Sequence, residues 1–423
     1  MKQTYKIVEL FSGIGSQAKA LKNIGINIDV QATCEWDIHA IIAYDAIHIS
    51  TNVLPEVEEM SSTEVYESLK KYTLSNSGKE AMSAQTLHTY GDEILRRLYS
   101  AIKRTNNLID ISGVTSEQMP ECTDILTYSF PCQDLSNVGA FHGYNRGIDK
   151  DSGSRSSLLW QVGRILAEMK EQEKALPRYL VMENVPTLLS KRHVGNFNLW
   201  KQDLEKLGYI SKEFQLNAKD FGIPQNRPRL LMISVFIGDD KKKEVDIVDY
   251  FNHTTPESIV RDYVTSEYYR NISVKELLRL AKSPDSPFWQ EAVACTPKDT
   301  PSRRKIWEEN PKIVKEDGSL TTETFIRTIT TKQDRNPNSG NIYFDSKIEG
   351  RGKFRYLTPR ECMLFMGFTD EDYDNIVANN PALKVHSSLF PRDKIIRMAG
   401  NSIPVKLLEG FFYQLYKLEE INK

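Results

Sequence analysis

Short apolar runs alternate with helical patterns through the first half of the chain, and this alternation is the strongest constraint on the fold. The runs read KIVELF, IDVQATCEW, DILTYSF, YLVMENV and RLLMISVFI, and amphipathic stretches such as SLLWQVGRILAEMK separate them. Apolar strands spaced by helices are typical of a parallel sheet that is covered on both faces. We therefore predict an α/β fold with a doubly wound, mainly parallel sheet.

The texture of the sequence changes after residue 237. Between 238 and about 350, scattered helical pieces and a Ser/Thr/Asn/Pro-rich tract replace the alternation, which indicates a second, smaller and irregular domain. Helical periodicity returns in 351–423, and 49–107 is a polar, helix-leaning insertion. We predict a first domain over 1–237, a second over 238–350, and a return to the first over 351–423.

Composition excludes several classes of protein. The five cysteines are odd in number and have no CxxC or Cys/His ligand spacing, so we expect neither a disulfide framework nor a metal site. The longest obvious apolar run, LLMISVFI, is far too short to span a bilayer. The start, MKQTYKIVEL, lacks a signal-peptide pattern. We expect a cytoplasmic protein with no membrane partner.

A glycine turn after the first strand indicates a nucleoside ligand. Gly13 and Gly15 in FSGIGSQ lie between a strand and a helix, where backbone N–H groups point at a ligand. Glu35 follows the second apolar run, where an acidic side chain accepts ribose hydroxyls in this topology. Phe11 and Trp36 can stack on a base, or pack in the core. The pattern leaves open whether the ligand is a dinucleotide or S-adenosylmethionine.

The segment SFPCQ places a cysteine after a strand. Pro131 favours an extended Phe130, so DILTYSF should remain a strand to its end, with Cys132 at its carboxyl edge. Ligands bind at that edge of open parallel sheets. A core cysteine would more naturally lie inside the run, so we interpret Cys132 as a nucleophile and the other four cysteines as core residues. The Gly-rich residues 137–157 that follow are predicted to form a lid.

Charged residues lie at the end of one further strand and at the start of another. Glu183 in YLVMENV is placed to donate a proton if burial raises its pKa; a helix-capping role is the alternative. Arg227 and Arg229 in QNRPR alternate, so both should project from one face of a strand and suit a carboxylate or phosphate. A solvated charged face is the alternative for this pair.

Seven segments in order resemble a known family. FxGxG, CEWD, SFPCQ, MENV, QNRPR, LTPRECMLFMGF and MAGNSIPV closely resemble the bacterial C5-cytosine DNA methyltransferases, and the N-terminal half is most similar to their CpG-specific members. The resemblance covers most of the chain, apart from the insertion and the segment before residue 350. It implies a Rossmann-like methyltransferase fold, with catalysis and cofactor binding in the first domain and target recognition in the second.

The resemblance also implies roles for individual residues. Cys132 is the nucleophile, Glu183 contacts cytosine N3 and N4, and Arg227 and Arg229 position the base and the glutamate. S-adenosylmethionine is the cofactor and S-adenosylhomocysteine the product, with no metal. The implied cofactor residues are Phe11, Gly13, Gly15, Glu35, Trp36, Asp110, Ile111, Pro131, Asn401 and Ser402. Asp92 is the alternative to Asp110, because the insertion makes that alignment less direct.

Contacts to DNA are expected in two places. The resemblance places Gln133, Ser136 and Arg155 against the DNA backbone or the flipped base. Between Arg327 and Arg360 there are eight Lys/Arg against three acids, a positive strip that the net charge of -2 hides. RTIT resembles the Thr-Ile/Leu element of family recognition domains, so we expect DNA contacts from Arg327, Thr328, Lys332 and Arg335. A polar solvated loop is the alternative.

The implied function is DNA (cytosine-5)-methyltransferase. The Cys132 thiolate adds to C6 of a flipped cytosine, C5 then attacks the sulfonium methyl, and 5-methylcytosine is released. The expected partner is double-stranded DNA, with a monomeric enzyme in the bacterial cytoplasm or nucleoid. We expect the enzyme either to accompany a restriction endonuclease that acts on the same site or to be an orphan methylase. Three alternatives remain: a tRNA cytosine methyltransferase, an inactive binding module, and an NAD-dependent oxidoreductase.

Overall fold

The computed structural model describes residues 3–131, 135, 148, 155–378, 380–384 and 387–421. In these ranges the strands are β1 (Thr4–Leu10), β2 (Asn27–Cys34), β3 (Ile125–Tyr128), β4 (Tyr179–Asn184), β5 (Tyr209–Asn217), β6 (Gln225–Asn226), β7 (Pro228–Phe236), β8 (Lys312–Val314), β9 (Ile326–Arg327), β10 (Asn341–Tyr343), β11 (Phe354–Arg355), β12 (Ala382–Lys384) and β13 (Ser387–Ser388).

The helices of the same ranges are mostly short. They are α1 (Ser16–Asn23), α2 (Ile38–His48), α3 (Pro55–Glu58), α4 (Ser62–Leu69), α5 (Ala84–His88), α6 (Asp92–Arg104), α7 (Leu159–Glu171), α8 (Val194–Lys206), α9 (Lys241–His253), α10 (Pro256–Val264), α11 (Val274–Leu277), α12 (Trp289–Ala294), α13 (Pro301–Glu309), α14 (Pro359–Phe365), α15 (Asp370–Ala378), α16 (Arg392–Asn401), α17 (Val405–Phe412) and α18 (Gln414–Ile421). Single 3-10 turns span Ser116–Gln118, Arg155–Leu158, Pro186–Leu189 and Ala218–Phe221.

A six-stranded sheet organises the first part of the fold. Its strand order is β2-β1-β3-β4-β7-β5. The pairs β1–β2, β1–β3 and β3–β4 are parallel, whereas β7 runs antiparallel to β4. The predicted α/β fold with a mainly parallel sheet is therefore confirmed, and β3 and β4 are its two central strands.

Both faces of this sheet are covered, as the continuous apolar runs predict. Alternate residues of one strand share a face, and one face of β1, β3 and β4 packs with α7 and α8 into a single buried cluster. Its aromatic centre is Trp200, whose Nε1 donates to the Tyr128 hydroxyl (3.2 Å). A Cβ on Gly163 would lie 2.9 Å from the Trp200 ring, so the glycine admits the indole. On the other face, the Tyr179 hydroxyl donates to Glu419 of α18 (2.8 Å).

Strand β3 ends at Tyr128, two residues before the end predicted from DILTYSF. Its neighbour β1 stops pairing at Leu10, because Phe11 turns the chain with a φ of 57°. Beyond this point side-chain hydrogen bonds replace the backbone pairing of the strands. Ser129 Oγ donates to the Phe11 carbonyl (3.4 Å), and Asn184 Nδ2 donates to the Phe130 carbonyl (3.1 Å). Ser129–Pro131 therefore continue past the sheet edge without belonging to it.

The chain divides into two compact units. The first contains 1–216, 228–268 and 408–423, and the second contains 217–227 and 269–407. The second unit holds the small sheet β11-β10-β8 and the two-stranded pairs β6–β9 and β12–β13. These divisions do not coincide with the boundaries at 237 and 350 that the sequence texture indicates, since α9 packs against the C-terminal helix α18 within the first unit. Within the described ranges, none of the helices has the length and apolar character that a bilayer crossing requires.

Candidate active site and cofactor site

The turn after β1 has the geometry of a ligand-binding loop. Phe11, Gly13 and Gly15 have φ values of 57°, 54° and 78°, and this left-handed region favours glycine. The two glycines serve different purposes. A Cβ on Gly13 would meet nothing within 4 Å, so a ligand has room to approach, whereas a Cβ on Gly15 would lie 2.2 Å from His48 Nε2. Gly15 therefore permits close packing of the loop on α2.

Glu35 ties this loop to the end of β2. Its Oε2 accepts from the Gly13 N–H (3.1 Å), and its Oε1 accepts from the Trp36 N–H (2.9 Å) and the Asp37 N–H (2.8 Å). A carboxylate has about four acceptor positions, so room remains for a ribose hydroxyl. Burial, with repulsion from Asp37, raises the pKa of Glu35 to about 7.

Phe11 and Trp36 are half-buried beside this loop. The Phe11 ring packs partly against the core cluster around β1 and β3, so its two predicted uses, packing and stacking, are compatible. The open space over Gly13 and the remaining acceptor capacity of Glu35 fit a nucleoside-containing cofactor.

Glu9 lies below the loop, and the sequence reasoning missed it. This fully buried carboxylate of β1 accepts from the Tyr44 hydroxyl (2.5 Å) and from the Ala18 N–H in the first turn of α1 (3.1 Å). The Ala18 bond satisfies a helix N–H that Gly15 has no side chain to cap. Burial raises the pKa of Glu9 to about 7. A lone acid within the apolar run KIVELF was the available signal.

Asp110, rather than its alternative Asp92, lies next to the end of β2. The Leu108 N–H donates to the Thr33 carbonyl (2.8 Å), and Cys34 Sγ contacts the Ile109 carbonyl at 3.4 Å. Ile109 itself has a φ of 64°, a strained conformation for a β-branched residue. By contrast, Asp92 starts α6 and pairs with Arg96 (2.6 Å) on the surface. Ile111, which follows Asp110, is buried in the core.

Glu183 and Arg229 form a close pair at the end of β4. Arg229 Nε lies 2.7 Å from Glu183 Oε1, and each side chain is 12% exposed. Strands β4 and β7 are antiparallel, so the carboxyl end of β4 meets the start of β7 and brings the two residues together. This contact agrees with the predicted partnership of glutamate and arginine.

Arg227 has a different environment from Arg229. Arg227 is 2% exposed, and its guanidinium donates to the carbonyls of Ile329 (2.7 Å), Gly400 (2.7 Å) and Ser402 (2.9 Å), all within the second unit. The two arginines, which were expected to act together, therefore have separate sets of partners. Arg227 precedes β7, and the bond from its N–H to the Asn217 side chain (2.9 Å) belongs to the β6 region.

Several predicted site residues lie outside the described residues or directly beside them. Cys132, Gln133 and Ser136 lie outside the described residues, as does most of the predicted lid. Pro131 is described and half-buried, and its carbonyl accepts from Ser156 Oγ (2.5 Å). Arg155 begins the 3-10 turn that leads into α7. Ile148 is fully buried, and its carbonyl accepts from Trp160 Nε1 (2.8 Å).

Asn401 and Ser402 lie at the end of α16 in the second unit. Asn401 is exposed, whereas the Ser402 hydroxyl donates to the Met398 carbonyl within the helix (2.8 Å). Gly400 just before them is constrained, because a Cβ there would lie 2.7 Å from the Thr330 carbonyl carbon. The segment around Thr330 therefore packs directly on this helix end.

The predicted positive strip is partly structural. Arg355 is buried in a pair with Glu361 (2.7 Å), and Arg360 bonds to Glu291, Asp370 and Asp374. Both guanidiniums are therefore already paired with acidic side chains. The exposed bases of the strip are Arg327, Lys332, Arg335, Lys347, Arg351 and Lys353. Thr328, which is half-buried, donates to the Asn226 carbonyl (2.6 Å).

Solved structures place the fold among the methyltransferases. The chain is similar to the crystal structure of S. pombe Dnmt2 methyltransferase, with a TM-score of 0.58 and 16% identity over 100% of both chains. It is also similar to a putative DNA modification methyltransferase from an E. coli prophage, with a TM-score of 0.51 and 16% identity over 98% of this chain and 99% of that one. The sheet, the glycine loop and these similarities define a Rossmann-like methyltransferase fold.

Sequence comparison identifies the family. The model of the C-5 cytosine-specific DNA methylases matches residues 77–417, and the chain belongs to this family. The type II methyltransferase M2.ScrFI of Lactococcus lactis subsp. cremoris is 30% identical over 97% of this chain and 99% of its own length. The orphan methyltransferase M.SssI of Spiroplasma monobiae is 39% identical over 57% of this chain and 63% of its own.

The predicted activity is therefore confirmed. The protein is a DNA cytosine-5-methyltransferase, it acts on DNA, and its family implies the use of S-adenosylmethionine.

Proposed function

We propose that the enzyme methylates C5 of a cytosine flipped out of double-stranded DNA at a short specific sequence. It works as a monomer in the bacterial cytoplasm or nucleoid, either with a restriction endonuclease for the same site or as an orphan methylase. The observation that carries the proposal is the Glu183–Arg229 pair, 2.7 Å apart at the carboxyl end of β4. Pro131, directly before Cys132 in sequence, follows the neighbouring strand β3.

The cysteine supplies the covalent step. Cytosine C5 is a poor nucleophile, so the Cys132 thiolate first adds to C6, which breaks the aromaticity of the ring and makes C5 reactive. Bound S-adenosylmethionine supplies an electrophilic methyl group for C5. Loss of the C5 proton and expulsion of the Cys132 thiolate then restore the ring as 5-methylcytosine. The target atoms are inaccessible in a stacked duplex, which is why the base must leave it.

Glu183 and Arg229 stabilise the base during this step. Negative charge develops on the cytosine as the thiolate adds, and a proton or hydrogen bond at N3 offsets it. The Arg229 guanidinium is bonded directly to the Glu183 carboxylate. Arg229 therefore fixes the direction of Glu183, and transfer of a proton to N3 requires their pairing to loosen when the base arrives.

The cofactor would be held mainly by the loop after β1 and the end of β2. Glu35 receives the ribose hydroxyls, Trp36 and Phe11 lie against the adenine, and Asp110 with Ile111 contacts its edge. Gly13 and Gly15 shape the loop, and Pro131, Asn401 and Ser402 complete the set that the resemblance implies. We assign target recognition to the second unit, where Arg327, Thr328, Lys332 and Arg335 lie, and DNA contacts near the base to Gln133, Ser136 and Arg155.

The nucleophile assignment can be tested by substitution. In Cys132→Ser, methyl transfer to DNA should fall to background, because a hydroxyl adds to C6 far less readily than a thiolate, while binding of S-adenosylmethionine should stay within about twofold of wild type. Tritium transfer from labelled cofactor to plasmid DNA measures the first quantity, and calorimetry measures the second. Undiminished transfer by the variant would exclude the mechanism.

The substrate context needs a second measurement. Bisulfite sequencing of DNA and RNA from cells that express wild type or Cys132→Ser should reveal protected cytosines in one short DNA sequence, in wild-type cells alone. Protection confined to RNA would contradict the proposed substrate, and protection scattered over all cytosines would contradict sequence specificity.

A further inference from the structure

Ser75 and Asn107, both in the insertion 49–107, bond to the backbone of the turn that follows β2. We propose that these two residues position the Glu35–Ile38 turn, so that the insertion sets the affinity of the enzyme for its cofactor. The proposal rests on the cofactor-binding roles proposed above for Glu35 and Trp36.

Asn107 holds both backbone groups of Glu35. Its Oδ1 accepts from the Glu35 N–H (3.0 Å), and its Nδ2 donates to the Glu35 carbonyl (3.1 Å). The same Oδ1 also accepts from the Ile109 N–H (2.9 Å). Asn107 is 8% exposed, so water cannot readily replace these bonds, and removal of the amide would leave buried groups unpaired. One side chain therefore fixes the peptide groups on either side of the Glu35 Cα.

Ser75 holds the next part of the turn from the middle of the insertion. Its N–H donates to the Trp36 carbonyl (2.8 Å), and its carbonyl accepts from the Ile38 N–H (2.9 Å). The Ser75 hydroxyl, fully buried, accepts from the Gly78 N–H (2.9 Å) and donates to the Glu80 carbonyl (2.6 Å). The hydroxyl thus keeps the 75–80 loop closed, and the closed loop presents the Ser75 backbone to the turn.

These bonds act on the atoms proposed to meet the cofactor. The Glu35 carboxylate already bonds to the N–H groups of Gly13, Trp36 and Asp37, so a shift of the Glu35 backbone would move the glycine loop as well. Because hydrogen bonds weaken steeply with distance and angle, a small displacement of this turn weakens several cofactor contacts at once. Asn107 and Ser75 touch neither the cofactor nor the base, and they are positioning residues.

The charge balance of the insertion does not favour a role in DNA binding. Residues 49–107 contain eight Asp/Glu and seven Lys/Arg, whereas binding to the phosphate backbone requires a local excess of positive charge. The contacts of Ser75 and Asn107 point to the cofactor side of the enzyme.

Two substitutions and a control from the same insertion test the proposal. Asn107→Ala and Ser75→Ala should each raise the dissociation constant for S-adenosylmethionine, by about tenfold for Asn107→Ala. Their kcat at saturating cofactor and their KM for DNA should stay close to wild type. Ser61→Ala is the control, because Ser61 Oγ accepts from the Glu64 N–H to cap α4 in the same insertion. It should lower the melting temperature and leave cofactor affinity unchanged.

The outcomes separate this inference from the proposed function. Folded Asn107→Ala and Ser75→Ala with wild-type cofactor affinity would overturn it, as would an equal loss of affinity in Ser61→Ala. Ser75→Ala leaves the backbone bonds of Ser75 in place, so it decides the matter if Asn107→Ala does not fold. A wild-type enzyme that fails to bind S-adenosylmethionine or to methylate DNA would instead contradict the proposed function itself.

Discussion

Two glutamates, Glu9 and Glu35, have raised pKa values near the same loop, but they face different partners. Glu9 points inward to Tyr44 and Ala18, whereas Glu35 accepts from the loop and retains capacity for a ligand. Both carry a pKa of about 7 because burial penalises the charged form. Titration of Glu9 near neutral pH should therefore affect the stability of the fold. Titration of Glu35 in the same range should affect cofactor binding as well as stability.

Cofactor affinity should depend on pH through Glu35. Below pH 7 its carboxyl group is increasingly protonated and loses acceptor capacity, so S-adenosylmethionine should bind about tenfold more weakly at about pH 6 than at about pH 8. In Glu35→Gln this part of the dependence should vanish. Calorimetric titrations at several pH values provide the measurement, with the difference between wild type and variant as the quantity compared.

Glu9→Gln is the matched control for this experiment. The folded-state pKa of Glu9 lies above its unfolded value, so its contribution to stability is present at low pH and is lost as pH rises through about 7. Glu9→Gln should flatten the pH dependence of the melting temperature and keep the pH dependence of cofactor affinity. If Glu9→Gln, and not Glu35→Gln, abolished the latter, the assignment of Glu35 to the ribose would be wrong.

At the same scale, the sequence predicted partnerships better where neighbouring strands fix them. The family resemblance implied the partnership of Glu183 with an arginine, and the pairing of β4 with β7 brings Glu183 and Arg229 together. The environment of Arg227 did not follow, since its carbonyl partners Ile329, Gly400 and Ser402 are about 100 to 175 residues away in sequence. Backbone carbonyls carry no signal in the amino-acid type, and no periodicity could have indicated these bonds.

At the scale of elements, the two glycines of the loop after β1 have different roles, although they belong to one sequence motif. Gly13 faces open space and Gly15 faces His48 and Tyr44 of α2. The turn itself was predictable from FSGIGSQ after an apolar run, because glycine after a strand favours such a loop. Which glycine serves the ligand and which serves packing depended on the position of α2, and the sequence does not specify that position.

Substitution of the two glycines should give opposite phenotypes. Gly15→Ala should destabilise the fold by about 3 kcal/mol or more, because its Cβ would overlap His48 and its φ is 78°. Gly13→Ala should cost only about 1 kcal/mol of stability but weaken cofactor binding, since the new methyl group occupies the approach path. Urea denaturation and cofactor titration of both variants measure these effects. Equal cofactor affinity in wild type and Gly13→Ala would refute a ligand-facing position for Gly13.

At the scale of the whole molecule, the sequence predicted the fold class but not the course of the chain through its units. The alternation of strands and helices identified the sheet, because a buried parallel sheet needs continuous apolar runs. The return of 408–423 to the first unit was not assigned to particular contacts, although Glu419 there bonds to Arg178 and Tyr179. Charge counting likewise overstated the positive strip, because Arg355 lies in a buried pair with Glu361 and Arg360 is paired with three acids.

The exposed bases of the second unit should control the salt dependence of DNA binding. Each of Arg327→Ala, Lys332→Ala and Arg335→Ala should reduce the slope of log affinity against log salt by about one, since each released counterion contributes about that much. Lys206→Ala, at an exposed base of α8, is the control and should leave the slope unchanged. Fluorescence anisotropy with duplex DNA at several salt concentrations provides the slopes, and three unchanged slopes would place the DNA contacts elsewhere.

The contacts that hold the backbone of the RTIT segment have a consequence for how such enzymes acquire new target sequences. Ile326 and Arg327 pair with Gln225 and Asn226, Arg227 holds the Ile329 carbonyl, and Gly400 leaves no room for a side chain against Thr330. A recognition segment transferred from a relative would therefore fit this fold only if the five residues that replace 326–330 kept the same backbone path. Exchange of specificity by recombination is accordingly expected to begin after Thr330, where the fixed attachment ends and exposed side chains such as Lys332 and Arg335 begin.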